Sequence, residues 1–186
     1  MKTYLLLIIF LPAMLFAQLK VKDKDNSGFG FDQSNLIYGG NFGLYFFDEY
    51  SFVEISPTVA YPINDILLLG IGATYIYQDF VVYQYSAFEQ KNNIYGFQLF
   101  ERINITEQIF HHGELNILNY ERIDPQSLSA PIYSTFRSTI PALNVGIGYS
   151  GAFRRGGYIQ ILYDLLYNPD AARNSSPWNI QIGFNF

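Results

Sequence analysis

The residues that could do acid–base or metal chemistry in this chain are few. Its two histidines, His111 and His112, are adjacent, and Glu114 follows two residues later. Neighbouring residues on a β-strand point to opposite faces, so the two imidazoles cannot ligate one metal ion together. His112 and Glu114 share a face, where a hydrogen-bonded structural histidine is a commoner arrangement than a ligand or a base. We therefore predict no metal, no cofactor and no catalytic residue.

A lipid-modifying hydrolase would need a serine, a histidine and an acid close together. Ser127, Ser129, Ser134 and Ser138 lie in or beside a segment that we predict to be a long loop. The histidines fall near the opposite end of the preceding strand, so the serines are out of their reach. The sequence also contains no phosphate-binding glycine loop, nucleophile elbow or zinc motif. The chain is predicted not to be an enzyme, with a lipid-modifying enzyme kept as an alternative.

The elements that must position these residues are β-strands. Apolar and polar side chains alternate in segments of about nine to twelve residues, the length that a tilted strand needs to cross a membrane. The segments are 36–47, 53–61, 67–77, 93–103, 108–122, 141–149, 159–165 and 178–186. Phe100 and Glu101 break the alternation, which predicts a bulge there. The pattern predicts an all-β fold, a transmembrane antiparallel up-and-down β-barrel of about eight strands.

The connections between these segments alternate in length. Segments 48–49, 64–65, 104–107 and 151–156 are short, whereas 82–92, 123–138 and 168–177 are long. With the N-terminus in the periplasm, the second, fourth and sixth connections would be periplasmic, and these are short. The long connections would then face outward, as in outer-membrane barrels.

The composition of the polar face indicates whether that face lines the lumen or covers the outside of the barrel. A soluble barrel would cover its outside with charged residues, but this face carries mostly Gly, Asn, Gln, Ser and Thr, which suit a narrow lumen. We expect a polar network inside the barrel, with its charges paired as an ion-pair plug. Its predicted members are Glu54, Arg102, His112, Glu114 and Asp164. An aromatic girdle at the membrane interfaces is predicted at Tyr61, Tyr77, Tyr149 and Trp178.

Composition narrows the class of protein further. Charged residues make up 15% of the chain, against about 25% in soluble domains, while 16 Tyr and 17 Phe dominate the aromatic residues. The net charge of -5 disfavours nucleic acid as a partner. The absence of cysteine excludes disulfides, thiol chemistry and a cysteine-linked lipid anchor.

The start of the chain has the layout of a secretory signal. Lys2 precedes an apolar stretch from Tyr4 to Phe16, and Ala17 offers a small residue for cleavage. We predict a signal peptide over 1–17, a flexible periplasmic leader over 18–34 and an outer-membrane β-barrel over 35–186. The predicted location is the cell outer membrane.

The end of the chain carries the sharpest single motif. Ile180, Ile182, Phe184 and Phe186 alternate with polar residues and finish on a terminal phenylalanine. This arrangement is similar to the terminal motif by which the barrel-assembly machinery recognises its clients. The predicted partners are therefore outer-membrane lipids and, during insertion, that machinery.

Several short motifs together resemble one family. They are 38–44 (YGGNFGL), 55–61 (ISPTVAY), 70–72 (GIG), 163–167 (YDLLY) and 177–186 (PWNIQIGFNF). On these residues the chain resembles the small outer-membrane barrels of Bacteroidota, broadly like the transmembrane domain of the OmpA and OmpX type. The resemblance implies an integral membrane barrel without a defined role.

Three functions are compatible with this interpretation. The favoured one is a structural or accessory barrel, which as a subunit of a larger complex would dock against another outer-membrane protein. The second is a ligand-binding or adhesion barrel that acts through its long outer loops, and the third is the lipid-modifying enzyme. A channel is disfavoured, because side chains fill a barrel of about eight strands.

Overall fold

The computed structural model describes residues 33–47, 50–82, 88–123, 134–151, 156–168 and 176–186. The predicted signal peptide and leader residues 18–32 lie outside these ranges. A short 3-10 turn, Gln33–Asn35, precedes the strands. No helix in the described ranges is long and apolar enough to span a bilayer.

The described residues form eight strands that close into one antiparallel barrel, each paired with its neighbours in chain order. The strands are β1 (Ile37–Phe47), β2 (Tyr50–Pro62), β3 (Leu67–Val82), β4 (Phe88–Asn104), β5 (Ile109–Ile123), β6 (Thr135–Ser150), β7 (Gly156–Asp164) and β8 (Trp178–Asn185). Pairing of β1 with β8 closes the ring. The prediction of an all-β, antiparallel up-and-down barrel of about eight strands is confirmed.

The two ends of the barrel differ in their connections. Segments 63–66, 105–108 and 151–155 join strands at the end where β1 begins and β8 finishes, which we call the turn end. Segments 48–49, 83–87, 124–134 and 165–177 join them at the opposite end, the loop end. The connection predicted over 82–92 is shorter in the structure, because β3 and β4 stay paired as far as Val82 and Phe88.

Side chains that mimic backbone acceptors build two of the tight turns. Asn64 Oδ1 accepts hydrogen bonds from the amides of Ile66 at 2.9 Å and Leu67 at 2.8 Å. Thr106 Oγ1 accepts hydrogen bonds from the amides of Ile109 at 2.9 Å and Gln108 at 3.2 Å. Such local bonds favour turns over strand continuation, so the sequence itself fixes where β3 and β5 begin.

The strands also differ in length around the barrel. Strands β3, β4, β5 and β6 have 16, 17, 15 and 16 residues, whereas β7 and β8 have 9 and 8. Since these strands share the turn end, the surplus of β3–β6 rises at the loop end. We call this surplus the tall wall; it faces the short side formed by β7, β8 and β1.

The predicted bulge at Phe100 and Glu101 is wrong. Strand β4 pairs without interruption with β3 from Leu67–Ile103 onward, and with β5 from Asn104–Phe110 to Tyr95–Asn119. Strict alternation therefore turns Phe100 into the lumen and Glu101 outward, next to Gly113 in the register. The large side chain of Phe100 fits because Gly70 lies opposite it.

The seam between β1 and β8 is the shortest ladder in the described barrel. It runs from Gly39–Asn185 to Phe42–Ile182, with one further bond from the Phe186 amide to the Tyr38 carbonyl at 2.7 Å. Toward the loop end β1 continues to pair with β2 and β8 with β7, but β1 and β8 do not pair with each other. The barrel wall is thus incompletely laddered on its short side.

Close approach of β6 and β7 at Gly146 supplies a test of the register. A Cβ added there would overlap the backbone carbonyl oxygen of Ile161, so we expect Gly146→Ala to cost about 1–3 kcal/mol of unfolding free energy. Gly157→Ala is the matched control, because its nearest neighbour would be a side-chain atom of Phe184 at 3.5 Å. Urea unfolding in detergent micelles measures both, and equal stability of the two variants would contradict this register.

Candidate functional site

The two faces of the sheet have opposite chemistry. Most of the exposed large apolar side chains lie at outward positions along the strands, among them Ile180 (67% exposed), Ile147 (60%) and Phe184 (49%). The inward positions carry buried polar side chains instead. Those in the lumen include Asn41, Ser56, Thr74, Gln98, Arg102, His112, Glu114, Asn116, Asn144, Gln160 and Gln181.

Three aromatic rings fill the lumen toward the turn end, and each lies over a glycine of a neighbouring strand. Phe100 covers Gly70, and Phe110 covers Gly148. Tyr158 covers Gly183 in the same way. A Cβ at any of these glycines would overlap the ring. We call Phe100, Phe110, Tyr158 and the side chains between them the turn-end plug.

Arg102 lies inside this plug. Its guanidinium carbon is 4.1 Å from the ring centroid of Phe110 and 4.3 Å from that of Tyr158, within the range of cation–π attraction. No carboxylate of the described residues lies within ion-pair distance of it, and its Nε has no hydrogen-bond partner. The direct ion pair predicted for Arg102 is therefore not formed. Its guanidinium lies between aromatic faces, with the Tyr158 hydroxyl as a hydrogen-bond partner, and the charge of Glu114 acts on it from a longer distance.

Glu114 is the centre of the polar network. Its Oε1 accepts hydrogen bonds from the side-chain amides of Asn144 at 2.8 Å, Asn116 at 2.9 Å and Gln181 at 3.3 Å. Its Oε2 lies 3.2 Å from His112 Nε2, which donates to it. The carboxylate is 2% exposed, so these donors replace the water that it loses.

The network continues from Glu114 across the seam. Gln181 Oε1 accepts from Gln160 at 2.6 Å and from Asn41 at 3.2 Å. Asn41 Oδ1 in turn accepts from the Tyr158 hydroxyl at 2.5 Å. Side-chain bonds inside the lumen therefore join β1 to β7 and β8, where the backbone ladder is short.

Glu54 and Asp164, the other two predicted interior acids, lie nearer the loop end. Glu54 is half-buried and accepts from Ser56 Oγ at 3.1 Å. Asp164 Oδ1 accepts from the backbone amides of Leu143 at 3.1 Å and Leu166 at 2.9 Å, so it caps the end of β7. The structure does not bring either residue to Arg102, because both sit at the opposite end of the lumen.

A cavity of about 80 Å³ opens at the loop end of the lumen. Both Glu54 and Asp164 line it, together with the amides of Gln98, Asn116, Asn144 and Gln181. The tall wall contributes Leu118, Tyr120 and Ile140. Polar and apolar surfaces thus meet in one small chamber.

The residues predicted as an aromatic girdle fall near both ends of the barrel. Tyr61 and Tyr149 lie close to the turn end of β2 and β6. Tyr77 lies toward the loop end of β3, and Trp178 begins β8, where its ring packs edge-on against Tyr163 at 5.0 Å. Beyond them, at the loop end, the outward face turns polar, with Asp79 4.0 Å from Lys91.

The predicted assembly motif occupies the outward face of β8. Its four apolar side chains are exposed between 49% and 73%, and Phe186 follows the last paired residue. The motif therefore presents a continuous apolar edge beside the seam. Its recognition by assembly machinery stays a prediction.

The serines of the alternative enzyme are far from His112. His112 pairs with Gly146, and Ser138 lies eight residues further along β6, about 26 Å away at ~3.3 Å per residue. Ser134 is further still, and Ser127 and Ser129 fall outside the described residues. His111 and His112 point to opposite faces, with His112 alone stacked on Phe100 at 5.5 Å.

Sequence reasoning missed the turn-end plug. Phe110 and Tyr158 were not assigned to the lumen, because aromatic residues were expected on the lipid side. The available signal was the position of glycines: Gly70, Gly148 and Gly183 each neighbour a large inward residue on the next strand. Gln160 and Gln181 were placed on the polar face but not in a network.

The solved structures that resemble this chain do so at low sequence identity. The sequence matches no family model and no curated protein sequence. The structure is similar to the N-terminal β-barrel domain of Pseudomonas aeruginosa OprF, with 10% identity, a TM-score of 0.46, and coverage of 82% of this chain and 98% of that one. It is also similar to Ail, the attachment invasion locus protein of Yersinia pestis, with 12% identity, a TM-score of 0.46, and coverage of 81% and 95%.

Removal of the central acceptor tests the network. We expect Glu114→Leu to lower the free energy of unfolding by about 3–5 kcal/mol, because it leaves several buried donors without a partner. Glu114→Gln keeps one carbonyl oxygen for the amide donors and should cost clearly less. Urea titration in detergent micelles, followed by the fluorescence of Trp178, separates the two. Equal losses would show that the hydrogen bonds contribute little.

Proposed function

We propose that the protein is an integral outer-membrane β-barrel with a structural or accessory role. The observation that carries the proposal is the distribution of side chains: large apolar residues cover the outside of the described barrel, and amides and hydroxyls are buried inside it. In water this arrangement would expose a continuous apolar belt, which soluble proteins avoid. In a bilayer the same belt meets lipid tails.

The polar rim at the loop end supports the same placement. On the outward face of the tall wall, Arg137 stacks on Tyr95 at 4.4 Å and bonds to Asn119 at 2.6 Å. Charged and amide side chains of this kind suit the headgroup region, next to interfacial aromatic residues. The belt between this rim and Tyr61 and Tyr149 is the proposed membrane band.

An accessory role fits better than a pore. Phe100, Phe110 and Tyr158 occupy the turn end of the lumen, and Arg102 lies between two of them. An eight-stranded barrel is just wide enough for side chains to fill it. The proposed partners are outer-membrane lipids, the barrel-assembly machinery during insertion, and another outer-membrane protein. Kinship with the Bacteroidota barrels stays part of this proposal.

A charge placed in the proposed band tests membrane insertion. We expect Ile161→Arg to cost about 2–4 kcal/mol of folding free energy in phospholipid vesicles, against roughly 0–1 kcal/mol for a substitution near an interface. Ile105→Arg, in the turn 105–108, is the matched control because that residue is also exposed. Protein that stays soluble without detergent, with no difference between the variants, would overturn the proposal.

The accessory role has a separate test. Gentle detergent solubilisation of native membranes, followed by affinity purification of the tagged full chain, should recover another outer-membrane protein in stoichiometric amount. A barrel recovered alone, after mild crosslinking as well, would leave the membrane assignment intact and contradict the accessory role.

A further inference from the structure

The loop-end cavity is a feature that the proposed structural role does not use. Its volume of about 80 Å³ compares with the roughly 10–15 Å³ that one water molecule requires on the same measure. The chamber therefore has room for about five to eight water molecules, or for a ligand with a similar number of heavy atoms.

The polar part of the lining contains an unpartnered buried acceptor and two carboxylates. Asn116 lines the cavity and is 8% exposed. Its Nδ2 is committed to Glu114 Oε1 at 2.9 Å, so the amide cannot flip, and its Oδ1 has no hydrogen-bond partner. The carboxylates of Glu54 and Asp164 lie in the same lining. Among the described lining residues there is no Lys, Arg or His to attract an anion.

The other part of the lining is apolar. Leu118 and Tyr120 belong to a buried cluster with Ile76 and Ile94 inside the tall wall, against which Ile140 packs. Three of these side chains, Leu118, Tyr120 and Ile140, face the cavity. A ligand that filled the chamber would meet acceptors on one side and aliphatic carbon on the other.

The incomplete seam lies beside the cavity. The next pair after Phe42–Ile182 would be Gly43 with Gln181, and this pair is not formed. Gly43 is paired with Glu54 on its other side, and both Glu54 and Gln181 line the cavity. Backbone hydrogen bonds therefore do not close the barrel wall between Gly43 and Gln181. The outer side of this part of the wall faces the proposed membrane band.

We propose that the loop-end cavity binds a small cationic amphiphile, an alkylammonium compound. Its ammonium group donates hydrogen bonds to Asn116 Oδ1 and to the carboxylate of Glu54. Its alkyl chain packs on Leu118, Tyr120 and Ile140. A carboxylate of the same chain length would meet like charge, and an alcohol would lack the charge that Glu54 attracts.

Calorimetric titration of the full chain in detergent micelles tests the proposal, with n-hexylammonium chloride as the probe and empty micelles as the reference. We expect saturable binding of hexylammonium, at least tenfold weaker binding of hexan-1-ol and no binding of hexanoate. Equal binding of hexylammonium and hexan-1-ol, or no saturable binding, would overturn the proposal.

Variants locate the site. Glu54→Gln and Asn116→Leu should each weaken hexylammonium binding at least tenfold, whereas Glu121→Gln, a carboxylate on the outward face of β5, should leave it unchanged. If Asn116→Leu does not fold, as judged by circular dichroism, Glu54→Gln alone decides. Equal weakening by Glu54→Gln and Glu121→Gln would mean that binding occurs elsewhere, which contradicts the proposal. Membrane insertion is measured separately, so the two proposals can fail independently.

Discussion

Lack of space is the constraint on which the rest of this barrel depends. Eight strands enclose an interior only about as wide as the side chains that fill it, so a ring can enter only where the neighbouring strand has no side chain. Phe100, Phe110 and Tyr158 enter in this way, each over a glycine. Their faces in turn provide a place for the Arg102 guanidinium, which would otherwise be a buried cation without solvation.

The same lack of space determines how the polar part of the lumen is satisfied. Water cannot solvate Glu114, so protein amides do, and they come from β5, β6 and β8. A carboxylate that needs donors from several strands also holds those strands together. The bonds from Asn41 to Gln181 and from Tyr158 to Asn41 extend this effect to β1. The polar network thereby compensates for the short backbone ladder at the seam.

Much of the fold followed from the sequence, because period-two alternation depends only on which face is buried. Strand number, chain-order pairing and the opposite directions of His111 and His112 came from this local rule. Strand lengths at the loop end did not, since beyond the apolar belt the outward face turns polar while Ile76, Ile94 and Tyr120 make the inward face apolar, which reverses the alternation. The bulge at Phe100 was predicted because a large apolar residue at an inward position breaks the alternation of polar and apolar side chains. It is in phase, and the glycine that makes room for it is on another strand, 30 residues earlier in the chain.

The candidate site also has features that local alternation predicts and features that depend on other strands. Glu114 could be assigned to the lumen from its position on the polar face, whereas the burial of Glu101, 0% exposed on the opposite face, could not be predicted from that rule. The partners of the predicted interior charges could not be predicted either, since the distance along the barrel axis that separates Arg102 from Glu54 and Asp164 depends on strand stagger. Aromatic residues show best what sequence alone does not determine. Tyr158 and Tyr149 have the same chemistry, but Tyr158 pairs with the residue after Tyr149, so Tyr158 lies inside the barrel and Tyr149 outside it.

The uneven height of the strands has a mechanical consequence. The tall wall is built from two hairpins, β3–β4 and β5–β6, which stay paired as far as Val82–Phe88 and Ile123–Thr135. Strands β4 and β5 pair with each other as far as Tyr95–Asn119, and beyond that point the Asn92 side chain bonds to the Glu121 backbone. A force applied at this crest, by a bound surface for example, would act along the strands and load many interstrand bonds in shear at once. The short side, with its brief seam, would yield first, so the molecule has a stiff half and a compliant half.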